Sequence, residues 1–313
     1  MANFSQYIMQ QSPRTRYWLG ALFVFLGACG FSTKAVLIKL AYQAYPVSSI
    51  TLLTLRMVFA LPFYFIIAYQ LSRQSQHRSF TNHQWGWTAA LGFLGYYISS
   101  LFDFIGLQYV TASVERLILF IYPTIVLALM ALFFKKKITM LQYGAVALSY
   151  IGIAIAFVDD AKAGEQKNLW LGVAWIFTCA FTYATYLVGA GRLISQVGSM
   201  KFTCYAMIFA GMSVFAHFLI TNDIAILWHL PPSIYWIGIW MALVATVIPT
   251  FLTAEGINLI GSGNASIISS VGPIITILMA YLMLNELVTI PQLVGTAFVM
   301  GGVLMISWKG KKD

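Results

Sequence analysis

Charged residues are scarce in this chain of 313 residues: they make up 9% of the sequence, and only nine residues are acidic. Apolar residues make up 60%, and the mean hydropathy is +0.82. Soluble domains seldom exceed half apolar residues. The composition therefore excludes a soluble protein and predicts an integral membrane protein, whose apolar segments leave no room for a soluble catalytic domain.

Cysteine is rare as well, and the three cysteines, Cys29, Cys179 and Cys204, all lie in apolar segments. This placement excludes a disulfide framework and a metal-ligand spacing, so we interpret them as packing residues. The sequence also lacks a HExxH motif, a CxxC pair, a glycine-rich phosphate loop and a nucleophile elbow. We predict no catalytic residues, no metal and no cofactor, and hence a protein that is not an enzyme.

The net charge of +9 comes from basic residues grouped at the ends of apolar segments, which indicates orientation in a membrane rather than nucleic-acid binding. Windows of about 20 apolar residues, long enough to cross the hydrocarbon core, occur ten times. They cover residues 17–38, 47–69, 85–107, 111–134, 139–158, 169–189, 201–221, 234–256, 263–284 and 289–308. When alternate loops are assigned to opposite sides, twelve lysines and arginines fall on one side and three on the other. Both termini are therefore predicted to be cytoplasmic.

An internal repeat organises the chain around one proline. A shift of 150 positions aligns 106–152 with 256–302 without a gap, and brings Pro123 onto Pro273. Identical pairs at this offset include Gly106 and Gly256 as well as Gly152 and Gly302. The protein is thus predicted to contain two like halves. Because each half has five spans, the halves start on opposite sides of the membrane and the repeats are inverted.

These observations predict the fold class and the domain organisation. The fold is an all-α membrane protein with ten transmembrane helices in two inverted five-helix repeats and both termini in the cytoplasm. The predicted segments are a cytoplasmic N-terminal segment (1–16), the first repeat (17–158), a linker (159–168), the second repeat (169–308) and a basic tail (309–313). Inverted repeats permit inward-open and outward-open conformations, which is the basis of alternating access.

Four phrases of the sequence resemble one known family. They are AVLIKL at 35–40, LRM at 55–57, ASVERLILFIYPT at 112–124 and NELVTIPQLVG at 285–295. Together with the two five-helix halves, they resemble EamA-type members of the drug/metabolite transporter superfamily over essentially the whole chain. The resemblance implies a transporter, and family members export amino acids and other metabolites or import sugars, vitamins or phosphorylated compounds. It does not imply a particular substrate.

Five ionisable residues of the first repeat fall inside apolar spans: Lys34, Arg56, Asp103, Glu115 and Arg116. A charge at bilayer depth is costly unless it faces water or a partner, so such residues are candidates for function. Counting along the helices at about 1.5 Å per residue places Arg56 near the midplane and the other four in the outer half. We expect one cluster, in which neighbouring Glu115 and Arg116 point in different directions.

Two interpretations of this cluster remain open. In the first, Arg56 pairs with Asp103 or Glu115 and Lys34 pairs with the other carboxylate, which makes a static brace between helices. In the second, Arg56, together with Lys34, binds a substrate carboxylate or phosphate, while Asp103 or Glu115 receives a substrate amine or a coupling proton. Desolvation can bring a carboxylate's titration toward neutral pH, as proton coupling requires.

Interruption of spans four and nine by Pro123 and Pro273 predicts the walls of the cavity, because freed backbone carbonyls must find new partners. The alternative is a kink that only improves packing. Polar and aromatic side chains near these breaks complete the candidate site. The predicted substrate-binding residues are Arg56, Lys34, Tyr97, Glu115, Tyr122, Tyr186, Ser269 and Ser270; the predicted proton-coupling residues are Asp103 and Glu115.

Taken together, the sequence predicts a secondary active transporter that exports a small polar metabolite, an amino acid or an organic acid, by alternating access. The alternatives are a proton-coupled drug or cation exporter and, in a different class, a membrane enzyme or receptor. The expected partners are a small-molecule substrate, membrane lipid and a proton, without nucleic acid, and the protein is expected to be a monomer or a homodimer. Its expected location is the bacterial inner membrane, as a multi-pass protein.

Overall fold

Helices make up all the regular secondary structure in the computed structural model, which describes residues 12–73, 80–135, 138–162 and 168–309. They are α1 (Pro13–Ala44), α2 (Ser49–Ser72), α3 (Asn82–Gly106), α4 (Ala112–Phe134), α5 (Met140–Lys162), α6 (Leu169–Val197), α7 (Ser199–Thr221), α8 (Pro232–Gly261), α9 (Ile267–Leu284) and α10 (Ile290–Lys309). A short 3-10 turn, Ile224–Trp228, precedes α8. Of the predicted segments 1–16, 159–168 and 309–313, residues 1–11, 163–167 and 310–313 lie outside the described residues.

Eight of these helices, α1 to α4 and α6 to α9, are long and apolar enough to cross a membrane. The apolar parts of α5 and α10, Met140–Ala156 and Ile290–Met305, are shorter. The predicted all-α membrane protein is therefore confirmed within the described residues. Ten crossings, inverted repeats and cytoplasmic termini stay predictions.

The same local features recur in the two halves at the offset of 150. A π-helical turn interrupts α3 at Phe93–Ile98 and α8 at Leu243–Val247. Near the middle, α4 restarts at Tyr122–Phe134 and α9 restarts at Gly272–Leu284. Both restarted helices end on a left-handed residue, Lys135 in the first half and Asn285 in the second. The local geometry thus follows the sequence repeat.

The breaks in α4 and α9 have a simple cause. Pro123 and Pro273 each stand in the first turn of the restarted helix, where a missing N–H is tolerated. Neither can donate to the carbonyl four residues earlier, at Leu119 or Ser269, so the preceding helix ends there.

Helix packing also follows a paired pattern. Helix α1 of the first half packs against α8 and α9 of the second half, and its counterpart α6 packs against α3 and α4 of the first half. Helix α2 contacts α8, and its counterpart α7 contacts α3, the counterpart of α8. Helices α2 and α7 also contact each other. The helices α5 and α10 form a separate pair. Exchanging the two halves therefore leaves these main packing pairs unchanged.

The crossing of α5 and α10 depends on close backbone approach. A Cβ atom on Gly152 would meet the Gly295 carbonyl and the Val299 amide, which are backbone groups that cannot rotate away. We predict that Gly152→Ala destabilises the protein by about 1–3 kcal/mol through overpacking. The measurement is the thermal unfolding midpoint in detergent. Gly144→Ala on the same helix is the matched control, because its nearest neighbour would be the Met305 methyl at 3.9 Å. Equal midpoints for the two variants would contradict this packing.

Candidate functional site

An ion pair joins α1 to α3 inside the first half. The Lys34 ammonium lies 2.6 Å from a carboxylate oxygen of Asp103, and the Asp103 side chain is only 1% exposed. Lys34 is the more accessible partner, with 19% of its side chain exposed. Asp103 lies in the last turns of α3, and Lys34 lies in the C-terminal half of α1. The pair is thus shielded from solvent on the carboxylate side and reachable on the amine side.

Glu115 adds a second carboxylate to this pair. It lies in the first turn of α4, which begins after the Thr111 hydroxyl accepts a hydrogen bond from the Val114 amide. Glu115 is fully buried and interacts electrostatically with Asp103 and Lys34. Within the described part of the chain, no N–H or O–H donor bonds to its oxygens, and its side-chain hydrogen-bonding contact is with the Asp103 carboxyl group. Three helices therefore bring two carboxylates to one lysine.

Arg56 of α2 lies beside this group but does not complete the predicted brace. Its side chain is 4% exposed, donates to the Ser100 hydroxyl at 3.1 Å and lies over the Phe104 ring at 5.3 Å. It interacts with Asp103 electrostatically, but no carboxylate of the described residues lies within ion-pair distance. Of the predicted brace, the structure contains Lys34 with Asp103 and leaves Glu115 without an arginine partner.

Arg116 points elsewhere, toward the break in α9. Its guanidinium lies 5.3 Å from the centre of the Phe120 ring, and its Nη2 atom is next to Gly272. On the other side of that break, the Ser32 hydroxyl of α1 donates to the Gly272 carbonyl at 3.0 Å, and the Thr276 hydroxyl donates to the Ser32 carbonyl. The broken helix is thus held by α1 directly beside Arg116.

Four tyrosines form a continuous aromatic group between α3, α4 and α6. Tyr122 contacts Tyr183 edge-on at 5.3 Å, Tyr183 stacks on Tyr186 at 5.7 Å, and the Tyr186 hydroxyl donates to that of Tyr96 at 2.8 Å. Tyr122 and Tyr183 are half-buried, whereas Tyr186 is almost fully buried. This group, together with Phe120, adjoins Arg116.

The other predicted site residues make hydrogen bonds outside the charged group. The Tyr97 hydroxyl bonds to His217 of α7 at 2.8 Å, and its neighbour Tyr96 takes the place in the aromatic group. Ser270 donates to the Ile267 carbonyl of its own helix, next to half-buried Ser269. Tyr97 thus links α3 to α7, and the roles of Tyr97, Ser269 and Ser270 in substrate binding stay predictions.

Sequence reasoning left Arg116, Tyr96 and Tyr183 out of the predicted site. Two signals pointed to them: Arg116 carries a charge inside a span, and Tyr183 stands three residues before Tyr186, on the same helix face. The choice between Tyr96 and Tyr97 had no such signal, because adjacent residues differ only in which face of the helix they occupy.

Beyond the charged group, a second set of polar contacts lies at the far end of α1. Lys39 donates to the carbonyls of Leu107 and Val110 and lines a pocket of about 290 Å³. The Glu286 carboxylate accepts hydrogen bonds from the Ala112 amide at 2.9 Å and from the Ser113 hydroxyl at 2.9 Å. A carboxylate is favourable at a helix N-terminus, so Glu286 ties the second half to the start of α4.

Comparison with known proteins assigns this architecture to a family. The model of the EamA-like transporter family matches twice, over residues 7–158 and 170–308, which together cover nearly the whole chain. The chain belongs to the EamA-like transporter family. The expected resemblance to EamA-type transporters is therefore confirmed, and the two matches correspond to the two halves of the chain.

Relatives of the EamA-like chain carry the same general function in their names. The uncharacterized transporter YcbK of Bacillus subtilis is 31% identical over 97% of this chain and 99% of its own length. An uncharacterized transporter of Synechocystis is 25% identical, covering 93% and 94% of the two chains. A solved crystal structure matches with a TM-score of 0.63 over 94% of this chain and 98% of the other, at 15% identity, which shows the fold alone.

These matches support a transporter of the bacterial inner membrane with several membrane-spanning helices, as the sequence predicted. Family membership and the relatives' names indicate transport rather than enzymatic catalysis.

Proposed function

We propose that this EamA-family chain is a secondary active transporter that exports a small polar metabolite, an amino acid or an organic acid, by alternating access. The observation that carries the proposal is the buried group of Lys34, Asp103 and Glu115 inside a twofold-repeated helical fold. Ionisable groups at this depth are expensive and mark substrate or ion pathways.

The repeated architecture supports the transport cycle. The main packing pairs of the two halves correspond. If the ten helices cross the membrane as two inverted five-helix repeats, each half can adopt the arrangement of the other. Alternation between the two arrangements exposes the buried group first to one side and then to the other. The break in α9 lies beside Arg116, the sequence neighbour of Glu115, and the breaks in α4 and α9 leave backbone carbonyls that a substrate can contact.

Asp103 and Glu115 are the proposed proton-coupling residues. Two carboxylates next to a single lysine carry one negative charge more than that lysine neutralises, and binding one proton removes the excess. In this mechanism substrate and proton bind in alternation, with Lys34 holding Asp103 in place. The sequence has no nucleotide-binding motif, which fits a transporter driven by a proton gradient or by exchange.

The test uses full-length protein in liposomes with a panel of labelled amino acids and organic acids. We expect accumulation of at least one substrate when an inside-acid gradient is imposed. Asp103→Asn and Glu115→Gln should each abolish this gradient-driven accumulation while keeping substrate counterflow, which needs no net proton movement. Gradient-driven transport that survives both substitutions would remove these carboxylates from coupling. Absence of transport across the panel would overturn the metabolite proposal.

One observation favours a second candidate, a proton-coupled exporter of drugs or other cations. Such a protein needs a buried carboxylate that a cation can neutralise, and Glu115 is fully buried without an ion pair within the described residues. Three basic residues, Lys34, Arg56 and Arg116, surround the same region and favour an anion instead. Transport of a lipophilic cation in place of metabolites, lost in Glu115→Gln, would support this candidate.

A further inference from the structure

We propose that Arg116 binds the carboxylate of the transported substrate, and that Tyr122 and Tyr183 receive an aromatic body attached to that carboxylate. The substrate class is thus an aromatic carboxylic acid, with or without an amino group. This inference rests on the proposed function, because it assigns the substrate's two ends to side chains at the transport site.

The Arg116 guanidinium has hydrogen-bonding capacity that its described neighbours do not use. Arg116 is half-buried inside a membrane-spanning helix, and its buried Nε atom has no hydrogen-bond partner. Its contacts within the described residues are the Phe120 ring, the Gly272 backbone and electrostatic interactions with Glu115, Tyr122 and Tyr183. None of these is an ion pair within 4 Å. Unpaired donors of a guanidinium are costly in a membrane interior, and a carboxylate satisfies two of them at once.

The other two buried cations are less suited to this role. Lys34 is already paired with Asp103 at 2.6 Å. Arg56 donates to Ser100 and is only 4% exposed, so a ligand has little access to its guanidinium. Arg116 therefore combines accessibility with unused hydrogen-bonding capacity, although sequence reasoning favoured Arg56 for the anion.

The surroundings of Arg116 place it where the transport motion is expected. Its Nη2 atom lies against Gly272, at the start of the restarted part of α9, so the guanidinium faces the second half of the chain from a helix of the first. A ligand on Arg116 would contact both halves. The affinity for such a ligand would therefore change when the two halves move relative to each other, as transport of a substrate requires.

An aromatic surface continues directly from the guanidinium. Arg116 lies over Phe120, Phe120 contacts Tyr122 at 6.2 Å, and Tyr122 contacts Tyr183 edge-on at 5.3 Å. Tyr122 and Tyr183 remain half-buried, so parts of their rings are accessible for contact. Edge-on and stacked contacts between rings favour an aromatic guest over an aliphatic one of similar size.

Binding to the purified full-length protein tests the inference. Calorimetric titration would compare indole-3-acetate and phenylacetate with their carboxamides, which have the same shape but no charge. We expect the wild-type protein to prefer the carboxylates, and Arg116→Gln to weaken carboxylate binding by about 10-fold or more while leaving carboxamide binding unchanged. Arg116→Lys should retain part of the preference. Arg73→Gln, which removes a cation stacked on Tyr69 at the end of α2, is the matched control and should bind as the wild type does.

Several outcomes would overturn the inference. Equal binding of carboxylates and carboxamides by the wild-type protein, or loss of the preference in Arg56→Gln rather than in Arg116→Gln, would refute it. Unfolding midpoints measured without ligand identify a variant that fails to fold. If Arg116→Gln fails to fold, the binding preference of the wild-type protein and of Arg116→Lys decides whether the inference holds. If another class of metabolite is transported while no aromatic carboxylate binds, this inference fails and the proposed function stands. If no metabolite is transported, the proposed function itself fails.

Discussion

Lys34→Met is expected to destabilise the protein by about 3–5 kcal/mol, because it leaves the Asp103 carboxylate buried without its countercharge. The ion pair is short and the Asp103 side chain is only 1% exposed, so the carboxylate has little access to water once the lysine is removed. Glu115 lies beside Asp103 and adds a second negative charge to the same place. The measurement is the free energy of unfolding in mixed micelles, with the thermal midpoint as a second readout.

A double variant is the control for this prediction. Lys34→Met combined with Asp103→Asn removes both charges and should recover much of the lost stability, since replacing a whole buried pair costs less than breaking it. The coupling energy from the double-mutant cycle then measures the interaction itself. Equal destabilisation by the single and double variants would mean that the loss comes from packing and not from charge.

The second large effect is expected at Tyr186, where Tyr186→Ala should cost about 3–5 kcal/mol by leaving a cavity. Its ring is 3% exposed and lies between Tyr96, Tyr183 and Phe202, with Gly95 of α3 directly against it. A side chain at Gly95 would collide with this ring, so the two residues fit each other closely. Unfolding of the purified variant in detergent measures the cost.

Tyr186→Phe separates packing from hydrogen bonding at the same position. This variant keeps the ring and loses only the 2.8 Å bond to the Tyr96 hydroxyl, so we expect a cost of about 1 kcal/mol. If Tyr186 were mainly a substrate contact, both variants would be nearly as stable as the wild type and would differ in ligand binding. That result would contradict the assignment of Tyr186 to the packed core.

The sequence determined the parts of this protein that depend on local or periodic signals. Apolar windows predicted the membrane helices, and a shift of 150 positions predicted two halves whose π-helical turns, breaks and helix ends recur at that offset. Pro123 and Pro273 predicted the breaks because proline lacks the backbone donor that an uninterrupted helix needs. Scarcity of charge likewise predicted which ionisable residues were candidates for function.

Only the tertiary structure decided how those candidates are paired. Lys34 and Asp103 are far apart in sequence, and α1 and α3 bring them to 2.6 Å, whereas Arg56 lies against Ser100 and Phe104 instead of a carboxylate. Rotation of α3 about its axis decides that Tyr96, and not Tyr97, joins the aromatic group. Hydropathy does not encode this rotation when both faces of a helix are apolar. Rotation and pairing follow from contacts between distant helices, and for that reason they emerge only when the whole chain is packed.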